Sequence, residues 1–363
     1  MSFIINCFNI KMKKLVIFLF GCTVILAQQA FAQSKDTLKV EAENQEAEKL
    51  YNAGIVNYNS KNYTGALQQF NDAIKIKPLF EKALYNRGTA KMELKDISGA
   101  VEDFSSVINI DPKSTKAYFS RGFAKFTLND NAAAITDFSK AIETDSSNAS
   151  AYYYRGEINF ELNKLEQANS DFTNAIKYRS DYAYAYNDRA GAKKLLGDNK
   201  GAIEDYSKAI LLEPEMAFAY NNRGSVKRNM GDLQGALLDY NLAIKLKPDY
   251  HIAFNNRGSA NMELKMYSDA IKDFNDAIKI NSQYAFSYNN RGLVKYKQND
   301  YKAAVEDFNQ AIKINPNYGA AFLNRGIALE MQRDNDGACA DWTKAKSLGV
   351  SNATTYLNQN CQK

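Results

Sequence analysis

The side chains best equipped for chemistry in this chain are arginines. "YNNRGS" at Tyr220–Ser225 returns as "FNNRGS" at Phe254 and "YNNRGL" at Tyr288, with "YNRG" at Tyr85 and "LNRG" at Leu323. Each Arg-Gly step stands a multiple of 34 residues from the others. A row of guanidinium groups suits phosphate or carboxylate ligands, because the planar fork donates two parallel hydrogen bonds. Sixteen residues after each arginine, however, comes an aspartate: Arg87 and Asp103, Arg121 and Asp137, Arg155 and Asp171, Arg189 and Asp205, Arg223 and Asp239, Arg257 and Asp273, Arg291 and Asp307, Arg325 and Asp341. The first copy has Ala53 and Gln69 in the two places, so both partners are absent together. A bonded pair predicts that joint loss; an arginine ladder reserved for a ligand has no need of the aspartates. The arginines are therefore expected to be structural.

Other reactive groups are sparse. His251 is the sole histidine, and it opens a helical segment where a solvated ring is expected. No CxxC, HExxH or glycine-rich phosphate loop occurs. No catalytic residue, metal site or cofactor is expected from such a sequence.

The elements that carry these residues are visible in columns. Glycine recurs at Gly54, Gly88, Gly122, Gly156, Gly224, Gly258, Gly292 and Gly326, with Ala190 as the exception. Alanine recurs without a break from Ala66 to Ala338, and four residues after each comes an aromatic, from Phe70 to Trp342. All five prolines (Pro78, Pro112, Pro214, Pro248, Pro316) share one column. Within each of nine copies two amphipathic helical patterns follow one another, for example about 82–95 and about 98–110, the second with Ala100, Phe104, Val107 and Ile108 on one face. Turn residues such as Gly231-Asp232 separate the two, and the proline stops the second. Ala190 indicates that the glycine column requires smallness rather than a positive φ.

This pattern resembles the tetratricopeptide repeat family over about Ala47–Asn352. The 34-residue period, the glycine, the Ala-x-x-x-aromatic spacing, the late proline and the opening aromatic (Tyr118, Tyr152, Tyr186, Tyr220) all match. Two departures recur: arginine replaces the usual leucine before the glycine, and mostly Lys or Asn replaces the later tyrosine. The resemblance implies an all-α fold, a right-handed α-solenoid (superhelix) of antiparallel helix pairs with a C-terminal capping helix. It also implies a concave groove lined by the first helices, and a protein or extended peptide as partner.

In that groove two asparagine columns stand out: Asn52, Asn86, Asn222, Asn256, Asn290 and Asn324 in one, Asn187, Asn221, Asn255 and Asn289 in the other. An asparagine donates and accepts at once, which suits the N–H and C=O of an extended chain; the bland alternative is an Asn-rich composition. In the first four repeats the second column is aromatic, Tyr51, Tyr85, Phe119 and Tyr153, each with an apolar partner seven residues on. These rings fit either packing between repeats or an apolar zone of the groove, followed by a zone with Lys194 and Arg228. No lysine occurs in that column, so a clamp of the chaperone-tail kind is not expected.

The ends carry their own signals. Lys11, Lys13 and Lys14 precede an apolar run from Leu15 to Leu26, and "AFAQ" at Ala30–Gln33 offers small residues at a cleavage point after Ala32. Residues 1–32, with Met12 a natural start, therefore read as a secretory leader, 33–46 as a linker and 353–363 as the cap. The run is short for a membrane span, so the mature chain is expected to be exported, periplasmic or secreted, with no span. A competing reading takes "LFGC" at Leu19–Cys22 as a lipoprotein box that anchors the chain through Cys22. Three of the 46 basic side chains stand in the leader, against 41 acidic residues overall, so the remainder is close to neutral and lacks the basic footprint of a nucleic-acid binder. Beyond the leader only Cys339 and Cys361 remain, and in an oxidising compartment they are expected to form a disulfide pinning the cap. Oligomeric state is not readable.

Overall fold

The computed structural model describes residues 2–361, with side chains described from Gln28 onward except Ala30. The side chains of the apolar run Leu15–Leu26 and of Cys22 lie outside that range. The described residues form an all-helical α-solenoid with no strand. Contacts divide it into two compact units, Met1–Arg155 and Gly156–Lys363.

The first unit begins with α1 (Ser2–Asn59), whose side chains through Glu46 are exposed wherever described; the buried face starts at Ala47. Helix pairs follow: α2 (Tyr63–Ile76) completes the first, and α3 (Glu81–Glu93) with α4 (Ile97–Ile110) and α5 (Thr115–Thr127) with α6 (Asn131–Thr144) make the next two. Helix α7 (Ala149–Glu161) contains the division. The second unit continues with α8 (Leu165–Tyr178), α9 (Ala183–Leu195), α10 (Asn199–Leu212), α11 (Ala217–Asn229), α12 (Leu233–Leu246), α13 (His251–Glu263) and α14 (Tyr267–Ile280). It ends with α15 (Ala285–Lys297), α16 (Tyr301–Ile314), α17 (Gly319–Met331), α18 (Asn335–Ser347) and the short α19 (Ala353–Asn360). Within each unit the first helices of successive repeats touch, α1 with α3, and α9, α11, α13, α15 and α17 in turn. They make one layer and the second helices the other.

The column residues explain the pairing. Ala100 and Phe104 of α4 are buried and pack against Ala124 of the following repeat; Ala236, Tyr240 and Ala260 repeat the arrangement, as do Ala304, Phe308 and Ala328. Each aromatic thus fills its own repeat and the step to the next, which is why no single pair holds a core by itself. The glycine stands opposite the ring: a Cβ at Gly88 would sit 2.8 Å from Phe104 Cε1. The helix accepts the propensity loss of a mid-helix glycine because only a hydrogen lets the ring approach.

Two further devices recur along the repeats. The turn between the two helices contains one residue in the left-handed region, always in the same register: Lys61, Lys95, Asn129, Asn163, Gly197, Gly231, Lys265, Asn299 and Arg333. Next comes the N-cap of the second helix. Asp96, Asp130, Asp198, Asp232, Asp300 and Asp334 each accept the backbone N–H three residues on, satisfying one of the helix's unpaired donors. At Lys164 and Met266 the cap position makes no such bond. The far end of the second unit is covered by α19, where Ala353 is buried against Phe322 and Ala345 and the Tyr356 ring lies 5.1 Å from Trp342.

Candidate functional site

The arginines lie between helices, and in Arg87, Arg121, Arg189, Arg223, Arg257, Arg291 and Arg325 every edge of the guanidinium is occupied. Arg223 Nε and Nη2 donate to the two carboxylate oxygens of Asp239 at 3.0 and 2.7 Å. The same fork joins Arg87 to Asp103, Arg121 to Asp137, Arg189 to Asp205, Arg257 to Asp273, Arg291 to Asp307 and Arg325 to Asp341. Arg155 and Asp171 fall one in each unit. The aspartates are buried, Asp239 only 2 % exposed. The guanidinium also lies 5.4–5.8 Å from the centroid of the aromatic three residues earlier, Tyr118, Tyr152, Tyr186, Tyr220, Phe254, Tyr288 or Phe322.

Two partners of this cluster are not visible in the Arg–Asp spacing. The remaining Nη1 donates to a small polar side chain on the second helix of the preceding repeat: Asn71, Ser105, Ser139, Thr173, Ser207, Asn241, Asn275 or Asn309. That column is periodic in the sequence, but its residue type varies and hides it. Four residues after the arginine, Lys91, Lys125, Lys193, Lys227 and Lys295 place their ammonium groups 2.8–2.9 Å from the same aspartates. Both recurrent departures from the repeat consensus, the arginine and the lysine, therefore serve one buried carboxylate. With its donors spent on protein acceptors, the arginine column is not a free anion-binding surface.

The first-helix face carries the two asparagine columns, and the structure joins them to each other. Asn256 Nδ2 donates to Asn221 Oδ1 at 2.9 Å, Asn290 to Asn255 at 3.1 Å and Asn324 to Asn289 at 2.9 Å. Asn221, Asn255 and Asn289 in turn donate to Asn222, Asn256 and Asn290. Asn187, Asn221, Asn255 and Asn289 are buried, whereas Asn222, Asn256, Asn290 and Asn324 are half-buried. The first three of these bonds each span 35 residues, from one repeat to the next.

In the first unit the same 35-residue step is made by rings and hydroxyls. Asn86 donates to the Tyr51 hydroxyl at 3.0 Å, Tyr85 and Ser120 share a bond of 3.0 Å, and the Phe119 and Tyr154 rings are 6.0 Å apart. Tyr51, Tyr85 and Phe119 also lie against Phe70, Phe104 and Phe138 of their own repeats; Tyr153 is buried.

The asparagine ladder has one gap. Asn187 Nδ2 donates to Asp188 Oδ1 at 2.8 Å, but its Oδ1, buried, has no hydrogen-bond partner among the described residues. Two turns further along the same helix, Lys194 is half-buried; burial and then the charge of Arg228 on the next first helix lower its pKa. Arg228 reaches Glu263 at 3.4 Å. The second unit thus presents, on one face, an unpaired acceptor and two neighbouring cations. A buried carbonyl without a donor is unfavourable by about 1–3 kcal/mol, so the gap favours any group that brings an N–H.

Elsewhere, Cys339 and Cys361 stand as one close pair with Cα atoms 5.8 Å apart. His251 shares a hydrogen-bond contact of 3.2 Å with Asn281 and packs edge-on to Tyr284. Among the described residues no group of three or more His, Cys, Asp or Glu side chains is placed to hold a metal ion, and no helix is long and apolar enough to cross a membrane.

Comparison with known proteins bears on the fold. Tetratricopeptide repeat models match residues 252–284 and 285–318, and a model described as the ETO1 C-terminal domain matches residues 80–253. No curated protein sequence matches the chain. Among solved structures, a tetratricopeptide repeat protein from Parabacteroides merdae is similar with a TM-score of 0.58 and 18% identity, over 69% of this chain and 99% of the other. A chain from the crystal structure of the APC/C hetero-tetramer Cut9–Hcn1 is similar with a TM-score of 0.58 and 14% identity, over 87% of this chain and 76% of the other. At these identities the likeness concerns the fold.

Proposed function

Because the chain is built of tetratricopeptide repeats, we propose that it is an exported scaffold whose first-helix face holds an extended segment of a partner protein. The repeats make it a protein-interaction scaffold in the broad sense; the surface, the shape of the ligand and the location are our reading. The observation that carries the surface is Asn187, whose buried Oδ1 lacks a donor where every later step of the ladder supplies one. A main-chain N–H of an extended ligand would satisfy it. Half-buried Asn222, Asn256, Asn290 and Asn324 offer further polar contacts along the same face, and Lys194 with Arg228 favour an acidic group near Asn187. Binding rather than catalysis is supported by the commitment of the paired aspartates to Arg and Lys partners.

The leader pattern supports export with cleavage after Ala32, and a bond between Cys339 and Cys361 fits that compartment. Mass spectrometry of the purified protein's N-terminus tests this directly; a diacylglyceryl group on Cys22 would establish the anchored alternative instead.

The binding reading is tested by a photo-crosslinking residue at Lys194, compared with one at exposed Lys208 on the second-helix layer, in protein taken from native cells. A partner captured at Lys194, absent at Lys208 and lost when Asn187 is changed to Leu, in a variant that melts normally, supports the site. Equal capture from both positions, or capture unaffected by Asn187→Leu, rejects it.

A further inference from the structure

The seventh repeat breaks the charge pattern of its neighbours at one buried position. Where five other repeats set a lysine ammonium against the paired aspartate, the seventh has Asn261, as the fourth has Asn159. Its amide donates to Asp273 Oδ2 at 2.9 Å but brings no charge. Burial holds the Asp273 carboxyl above its ordinary pKa even though Arg257 is bonded to it. The shorter side chain also leaves room: an open cavity of about 270 Å3 lies here, with Asn261 and Asp273 in its wall.

We propose that this cavity binds a primary ammonium group carried on an alkyl chain, supplied from outside in the place a lysine fills elsewhere. The other repeats provide the template. In the second, Lys91 Nζ lies 2.9 Å from Asp103 Oδ2 and donates to Gly99 O at 3.1 Å. Asp273 occupies the register of Asp103, and Asp269, also lining the cavity, that of Gly99. The wall further includes Leu237 and Met266, apolar surface suited to a methylene stem. Asn261 and Asp273 are 6 % and 3 % exposed, so an ammonium entering here meets a largely desolvated carboxylate, where a charge-assisted bond is strongest. Lys272 also lines the cavity, yet it makes no ion pair among the described residues. The site is lined by α12 and α14 together with Arg257 and Asn261 of the first helix α13.

The test is a titration of the full chain with n-butylammonium chloride at constant ionic strength, followed by NMR through the side-chain amide of Asn241, which borders the cavity. Tetramethylammonium chloride, a cation with no N–H, is the control. Saturable shifts with n-butylammonium, at least about tenfold weaker with tetramethylammonium, are expected from one charge-assisted hydrogen bond. Asn261→Lys restores the arrangement of the neighbouring repeats and is expected to abolish saturation; if that variant does not fold, the two cations compared on the unaltered chain still decide. Tighter binding of Nα-acetyl-lysine methylamide than of cadaverine would assign the natural ammonium to a lysine side chain, the reverse order to a free amine. Equal response to both cations, saturation that persists in Asn261→Lys, or binding that appears only in Lys272→Ala would each overturn the proposal.

Discussion

Arg223 Nη1 donates to Ser207 Oγ at 3.0 Å, across the step from one repeat to the next, while the opposite edge of the same guanidinium grips Asp239 within its own repeat. One side chain therefore fixes two relationships, the pairing of α11 with α12 and the seating of α11 on α10. In a chain whose stability is a sum of repeat and nearest-neighbour terms, such a residue contributes to both. Lysine could not replace it, having no planar fork with which to hold two acceptors at once.

Removing one partner should expose that double role. Arg223→Ala leaves the buried Asp239 carboxylate to Lys227 alone and is expected to lower stability by about 1.5–3 kcal/mol, whereas Ser207→Ala removes one neutral acceptor and is expected to cost about 1 kcal/mol. Urea denaturation of Arg223→Ala, Asp239→Ala and the double variant should give a coupling energy of about 2 kcal/mol or more. Additive single effects would show that the fork is geometric only.

The seventh repeat offers a pH experiment with a definite sign. Asp273 has a folded pKa above its unfolded one, because burial outweighs Arg257. Ionising it in the folded chain is therefore unfavourable, and its contribution to stability declines as pH rises from the unfolded carboxylate range to the folded pKa. In Asn261→Lys the added ammonium draws that pKa down. The gain should be present above the carboxylate range, about 1 kcal/mol near pH 7 because desolvating the ammonium offsets much of the attraction, and should vanish on acidification towards about pH 3. A gain independent of pH would point to packing by the lysine stem.

The repeat register, the two-helix unit and the Arg–Asp spacing were legible because a strict period multiplies one weak local signal many times. What the period concealed depended on residue type. The acceptors of Arg Nη1 alternate among Asn, Ser and Thr, so no single letter marks them, although any of the three can accept. Lys91 and its equivalents were visible as departures from the consensus, but their shared aspartate becomes evident only when the helices are paired. The asparagines were visible as columns; that they bond to one another over 35 residues required knowing which of them are buried. Among the described asparagines of the two columns, the broken step at Asn187 leaves a buried atom unpaired, and no spacing rule would have singled it out.

The turns hold another feature that composition hides. Lys95 and Arg333 both have φ of 65° at the position where Gly231 has 86°. A β-carbon in that region is unfavourable by roughly 1–2 kcal/mol, part of which glycine returns as greater freedom when unfolded. Lys95→Gly and Arg333→Gly are each expected to raise stability by about 0.5–1 kcal/mol, and Gly231→Ala to lower it by about 1 kcal/mol. Thermal melts that move in the opposite direction would mean that the lysine and arginine stems contribute contacts outweighing the backbone term.

The C-terminal pair invites the last test. Cys339 lies on α18 and Cys361 follows α19, 22 residues apart, with a Cα separation in the range a disulfide spans. Helix α19 has eight residues, too few to be stable alone, and it is what covers Trp342 and Ala345. A bond closing a loop of this length should stabilise the cap by about 3 kcal/mol. Denatured, unreduced protein is expected to show no free thiol at either position. Reductant, or Cys361→Ser, should then speed amide exchange in α19 and α18 first and leave repeats far from that end unchanged, because neighbour-to-neighbour stability confines a terminal loss to the repeats it touches. Two titratable thiols together with unaltered exchange would assign the cap to packing by Ala353 and Tyr356 alone.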